Sequence, residues 1–314
     1  MIHTPVLIVG GGPAGATCAR TLKRAGVDVM ILDKKSFPRD KPCAGWITPK
    51  VFRTLRISPE LYPHNLTTFN RLHVCVRGRS IPIPTCQYAI RRIEFDHWLL
   101  QRAGVPIHHH RVNQISRAED GYVIDGRYHC TYLVGAGGTT CPVQRMVFRD
   151  ENPRSPDFQI TTLEMEFPYH PIDTRCYLWF FDSNLPGYSW YVPKQDYLTI
   201  GIGGLVGALR TQGETIQQHW DLFIEKVSSI GLVEELPHQP KGYTYYLRHK
   251  MTCLQHDNAF LVGDAAGLAT LDMGEGIGPA VQSGRRAAEA IITKRHYILG
   301  SLNRLSLFDI LFSR

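Results

Sequence analysis

Apolar residues run without a break at Val6-Leu7-Ile8-Val9 and stop at Gly10. A run this short, closed by glycine, predicts a strand buried on both faces. Residues Ala14 to Ala25 then predict a helix, and Val27-Asp28-Val29-Met30-Ile31-Leu32-Asp33 a second buried strand, so 1–35 reads β-α-β. The segment 36–65, rich in proline and basic residues, predicts a long irregular excursion with short helices. From Arg71 to Pro84 the alternation places Leu72, Val74 and Val76 on one face of a strand. Arg92 to Ala103 predicts a helix stopped by Gly104. Two short strands follow around 105–112 and 122–124, and Tyr132–Gly138 predicts a further parallel-type strand ending in a glycine turn. From about 158 to 250 the texture becomes short, aromatic-rich β runs, interrupted by a helix near 215–230. Ala259-Phe260-Leu261-Val262-Gly263-Asp264 predicts a strand ending in Gly-Asp, followed by a helix from about Ile277. The last apolar stretch, Leu302–Phe312, with Arg304 and Arg314 beside it, predicts a helix packed on the core; docking over a substrate opening or on a membrane surface are its alternatives.

The first strand runs directly into Gly10-x-Gly12-x-x-Gly15. Gly10 makes the tight turn, Gly12 lets a pyrophosphate approach the backbone, and Gly15 lets the helix pack close to the sheet. The N–H groups at the helix start then face the phosphates. Asp33 lies eighteen residues past Gly15, where an acidic residue takes the adenosine ribose hydroxyls. Strand, glycine turn, helix and acidic strand end together specify a dinucleotide site.

Composition narrows the rest. With 314 residues and 43% apolar content the chain can bury a large core, in one large or two interlocked domains. No eighteen-residue stretch lacks charge or glycine, and the first strand leaves no room for a leader peptide, so the expectation is a cytoplasmic protein. Its eight cysteines are scattered without a C-x-x-C pair, which argues for reduced thiols and against a disulfide framework or a zinc site. A formal charge of +7 would draw anionic substrates or lipid headgroups, but the basic residues are dispersed, which disfavours nucleic acid. His108-His109-His110 alternates across a strand with no Glu or Cys partner nearby, so it is read as solvated, and no metal site is expected.

Further motifs carry a resemblance. They are Lys41-Pro42-Cys43-Ala44-Gly45-Trp46, Arg92-x-x-Phe95-Asp96, Tyr188-Ser189-Trp190-Tyr191-Val192-Pro193-Lys194 followed by Gly201-Ile202-Gly203, and Gly263-Asp264 through Gly274-Glu275-Gly276-Ile277-Gly278. Together they resemble FAD-dependent oxidoreductases of the p-hydroxybenzoate hydroxylase branch, and within it the geranylgeranyl reductase family. The Tyr-x-Trp-x-x-Pro-Lys segment is the most specific of these.

The resemblance implies an α/β fold: a glutathione-reductase-type, Rossmann-like FAD-binding domain with an inserted, mostly antiparallel β substrate domain. The expected boundaries are 1–65, 86–155 and 251–300 for the discontinuous FAD domain, 66–85 and 156–250 for the substrate domain, and 301–314 for a terminal helix. The cofactor-binding residues it implies are Gly10, Gly12, Pro13, Ala14, Gly15, Asp33, Lys34, Cys43, Ala44, Gly45, Arg92, Gly263, Asp264, Gly274, Gly276, Ile277 and Gly278. Asp264 would hold ribityl hydroxyls, with an N-cap as its plainer role. Small residues from Ala280 to Ala288 would let the isoalloxazine approach, and the helix start would stabilise the anionic reduced flavin. Cys43, Tyr188 and Trp190 are the catalytic candidates; a packing residue is the equal alternative for Cys43, and Trp179, Tyr188 and Trp190 either line a tunnel or fill the core.

The implied activity is reduction of carbon–carbon double bonds in a polyprenyl, lipid-like isoprenoid, with peripheral membrane contact as an option. An acid (water, Cys43 or a tyrosine) would supply the proton. A monooxygenase or halogenase-like enzyme on an aromatic substrate, and a non-catalytic FAD-fold escort protein, are the rivals. Gly135-Ala136-Gly137-Gly138 stands where flavin hydroxylases carry an Asp, so the electron donor is left open between NAD(P)H, a ferredoxin and a quinol. The chain also ends early beside many prenyl reductases, and the resemblance then implies a more open or differently sized pocket.

Overall fold

The opening apolar run forms the strand Ile2–Val9, whose Val6, Leu7 and Ile8 are completely buried because both edges and both faces are covered. It pairs in parallel with Val29–Asp33 on one side and Tyr128–Gly135 on the other. A computed structural model describes residues 1–234, 236, 237, 239–249, 253–300, 302 and 304–311. Among these, two eight-stranded sheets account for the strands.

The first sheet extends to Ile107–His109 at one end and to Ala259–Leu261 and Gln255–His256 at the other, and it carries the hairpin Ile115–Ala118/Gly121–Ile124. Three helices, Pro13–Arg24, Arg92–Ala103 and Ile277–Thr293, pack with it around the largest apolar core. The second sheet runs Lys241–Tyr246, Gln159–Pro168, Tyr197–Leu205, Gly187–Lys194, Cys176–Phe180, Thr67–Val76, Arg79–Ala89, Trp46–Ile47. It is antiparallel except where Cys176–Phe180 meets Thr67–Val76.

Alternation along Gly187–Lys194 sorts that sheet's two faces. Tyr191 points to a cluster with Ile200, Ile202, Trp220 and Phe223, under the helix Ile216–Ser229. Trp190 and Val192 point the other way, to Trp46, Leu178, Met273 and Ile310.

Two expectations are corrected. The stretch Arg71–Pro84 is not one strand but a hairpin turning at Arg77-Gly78, both in the left-handed region. A register irregularity falls between Phe69 and Arg71; past it Leu72, Val74 and Val76 keep one face, with Leu72 buried and Val76 exposed, while Cys75 is buried on the other face. Of the two roles open to Trp179 it takes the core: it faces the helix Ile216–Ser229, against Phe223 and Lys226, on the face away from Trp190. The terminal helix is a short one, Leu307–Leu311, with Ile310 buried and Leu307, Phe308 and Leu311 exposed. Phe312 and Arg314, which the sequence reading includes there, lie outside the described residues, as do Lys250, Met251 and Thr252 at the expected 250/251 boundary. Among the described residues no helix is long and apolar enough to cross a membrane.

Candidate functional site

A cavity of about 700 Å³ opens between the two sheets. Its floor begins at the glycine turn. Gly10 has φ +114°, and Gly15 packs so tightly behind it that a Cβ would lie 1.9 Å from the Gly10 carbonyl oxygen. Gly15 therefore supports the wall and does not line it. The helix Pro13–Arg24 has no side-chain cap, so its first N–H groups stay open toward the cavity beside Gly12. Asp33 is held by two backbone donors: Gly11 N–H gives to Oδ2 at 2.7 Å and Lys35 N–H to Oδ1 at 2.8 Å. Lys34, Pro13 and Ala14 line the same end.

Asp264 lies across from this turn. Its Oδ2 accepts from Lys41 Nζ at 3.1 Å and Tyr243 Oη at 3.2 Å. Burial would raise this carboxyl; Lys41, Arg92 and Tyr243 outweigh it and hold the group below the usual carboxylate range. The short helical turn Gly263–Ala265 has no side-chain cap, so Asp264 does not act as one. Arg154 instead donates to the backbone carbonyls of Thr139 and Ala265.

Cys43, Ala44 and Arg92 form the next stretch of wall. Cys43 is half-buried; Gly45 N–H donates to its Sγ at 3.4 Å, and the Arg92 guanidinium reaches it as well. Arg92 is buried and clamped by Asp96, Nε to Oδ1 and Nη2 to Oδ2, both at 2.8 Å. Burial would lower this guanidinium, but Asp96 and Cys43 hold it well above its usual range. Its direct reach toward a cofactor is thus limited by an ion pair on its own helix.

The second sheet supplies the opposite wall through Tyr188, Trp190, Glu164, Tyr243 and Tyr245. Tyr188 Oη donates to the Met273 carbonyl at 2.6 Å, and its ring stacks on Phe180. Gly274, Gly276 and Ile277 close the far end, where Glu275 accepts from Gly278 N–H at the start of the helix Ile277–Thr293. Burial pushes the Glu275 carboxyl up to about 7.

The cavity thus gathers most of the expected residues; Gly15, Gly45, Gly263 and Gly278 stand behind it. Beyond Ala280, the small residues of the last long helix serve packing: Gly284 sits on the Ala14 carbonyl, and Ser283 Oγ accepts from Gly263 N–H. The three consecutive histidines go to separate partners, Tyr128, the Lys34 carbonyl and Asp125. Sequence reasoning missed Glu164, Tyr243, Tyr245 and Arg154. No local signal marked Glu164: its in-phase strand neighbours are Thr162 and Glu166, while Leu163, Met165 and Phe167 point to the other face.

A family model described as an FAD binding domain matches residues 3–58. An uncharacterized protein of Methanosarcina barkeri is 32% identical over 91% of this chain and 74% of its own length. The geranylgeranyl diphosphate reductase of Rhodobacter capsulatus is 29% identical over 90% of this chain and 73% of its own. Among solved structures, a geranylgeranyl bacteriochlorophyll reductase-like protein from Thermoplasma acidophilum superposes with TM-score 0.83 at 21% identity, covering 93% of this chain and 79% of that one. The residues present fit an FAD: a Cβ on Gly12 would meet only Arg39 Nη2, at 3.4 Å, so the backbone there is an open cradle. Lys34, Arg39 and Lys41 put positive charge around it.

Proposed function

The chain belongs to the geranylgeranyl reductase family of FAD-dependent oxidoreductases, and from that premise we propose that it reduces carbon–carbon double bonds of a polyprenyl, lipid-like substrate. The observation that carries this reading is the position of Tyr188 and Trp190, which line the same cavity as the glycine turn and Cys43. An apolar wall facing a dinucleotide cradle suits a chain-like substrate whose double bond must lie against the cofactor.

Gly10, Gly12 and the N–H groups after Pro13 would hold the pyrophosphate, and Asp33 the ribose. Asp264, kept ionised by Lys41, would accept from ribityl hydroxyls. Cys43, Ala44 and the Gly274–Ile277 turn would border the ring. Bound and reduced, the flavin supplies the hydride. The protein's own part is to seat the alkene on Tyr188 and Trp190, keep water out, and present a proton to the second carbon. In this assignment segments 1–65, 86–155 and 251–300 carry the cofactor, and 66–85 with 156–250 the substrate; Trp46–Ile47 pairs into the sheet on the substrate side. Exposed Leu307, Phe308 and Leu311 together with the chain's positive charge support peripheral contact with a lipid surface. NAD(P)H and a ferredoxin both remain candidate donors.

The test is anaerobic reduction of the FAD-loaded protein, then mixing with a geranylgeranyl-chain lipid. Flavin reoxidation with product gaining one H2 per double bond supports the reading. Reoxidation only by oxygen with an aromatic acceptor overturns it in favour of a monooxygenase.

A further inference from the structure

Across the second sheet three residues stand directly opposite one another: Glu164 pairs with Gly201, and Gly201 with Trp190. Gly201 has to be glycine, for a Cβ there would fall 2.4 Å from the Trp190 ring and 2.7 Å from Glu164 Cβ. The indole and the carboxyl side chain therefore meet over it, on the face that lines the cavity. Glu164 is only 4% exposed, and its Oε1 has no hydrogen-bond partner among the described residues; nor has Trp190 Nε1. Buried carboxylates are normally paired, and an orphaned one beside a cavity calls for a reason.

The cations nearby are already engaged. Lys194 donates to Glu166 at 2.7 Å, Arg92 is clamped by Asp96, and Lys41 is bonded to Asp264. We propose that Glu164 is the proton donor of the reduction, presenting a neutral carboxyl O–H to the alkene carbon next to the one that receives hydride. This rests on the alkene-reduction reading above. The hydride carries both electrons from the reduced flavin to one carbon, and the π bond breaks. The neighbouring carbon forms its new C–H bond with the carboxyl proton, and Glu164 is left as a carboxylate that solvent reprotonates.

Burial pushes this carboxyl up to about 8 despite Lys194, Arg92 and Lys41, with Glu166 adding to the rise. The other acids of the cavity are less suited. Tyr188 already gives its proton to Met273, and burial holds the Tyr245 phenol well above its usual range. Cys43 Sγ serves as acceptor for Gly45 and Arg92. Glu275 is already engaged at its Oε1, which accepts from Gly278 N–H at the helix start.

The experiment compares wild type, Glu164→Gln and Glu164→Asp, each loaded with FAD. Infrared difference spectra between about pH 6 and about pH 10 should show a neutral carboxylic C=O band in wild type that is missing from Glu164→Gln. After anaerobic reduction, reoxidation by a geranylgeranyl-chain lipid should be about 100-fold slower in Glu164→Gln and intermediate in Glu164→Asp, with FAD stoichiometry unchanged. Equal reoxidation rates in wild type and Glu164→Gln, or absence of the band from wild type, overturn the donor role while the alkene reading stands. If wild type is not reoxidised by any unsaturated chain, that reading falls and the donor role with it. Should Glu164→Gln fail to retain FAD, Glu164→Asp decides: a slowed, pH-dependent rate supports the role, and a wild-type rate overturns it.

Discussion

At the scale of single residues, the site is governed by how each buried charge is compensated. Arg92 and Asp96 form a buried bidentate pair, with Arg39 adding a third contact at 3.3 Å. Replacing Asp96 with Asn leaves Arg92 buried and half-matched, so Asp96→Asn should cost about 3 kcal/mol, checked by denaturant unfolding. Glu164 works in the opposite sense. Its folded value, about 8, lies above that of an ordinary carboxyl, so the folded state binds its proton more tightly than the unfolded chain. The contribution is fully present below the unfolded value and lost as pH rises through about 8. Stability measured from about pH 5 to about pH 8 should therefore fall more steeply in wild type than in Glu164→Gln. Glu275, pushed up to about 7, contributes in the same direction to both proteins, so the difference between them isolates Glu164. Among the site residues, Asp33 was legible from its spacing after the glycine turn, and Arg92 and Asp264 from the resemblance their motifs carry. Glu164 was not, since its meaning depends on Gly201 and Trp190, far along the chain.

At the scale of elements, local signals and structure agree where capping chemistry is explicit. Gly104 ends the helix Arg92–Ala103 in the left-handed conformation, as its place in the sequence predicts. The helix Ile216–Ser229 starts with a capping box: Gln218 N–H donates to Thr215 Oγ1, and Thr215 N–H to Gln218 Oε1. Thr215→Ala should remove about 1 kcal/mol of stability, seen as a lowered melting temperature, and leave FAD binding unchanged because the cap lies outside the cavity wall. Gly201→Ala tests the strand Tyr197–Leu205 differently. Its added Cβ must displace the Trp190 indole, so substrate affinity should drop while FAD stoichiometry is kept; loss of FAD instead would place that row against the cofactor. Alternation correctly puts Leu72, Val74 and Val76 on one face, but it does not reveal the turn at Arg77-Gly78 that makes Arg71–Pro84 a hairpin.

At the scale of the molecule, one cavity is shared by two sheets, and its walls come from the first fifty residues, the middle of the chain and the stretch 262–280. A ligand that spans both walls should stabilise both together. FAD at about 100 times its Kd should add about 2.7 kcal/mol and raise a single unfolding transition in calorimetry; a shift confined to one of two transitions would show that only one sheet holds it. By itself the sequence determined what is short-range: the strand, glycine turn and helix of the dinucleotide corner, the helix ends, and the motifs that identify the family. These follow from backbone sterics and periodicity within a few residues. Only the tertiary structure decided which side chains share a space. It put Trp179 and Trp190 on opposite faces, turned Arg92 back onto Asp96, and left Glu164 Oε1 without a hydrogen-bond partner among the described residues, beside an indole. Strand order and register across more than a hundred residues set those distances, and no local pattern encodes them.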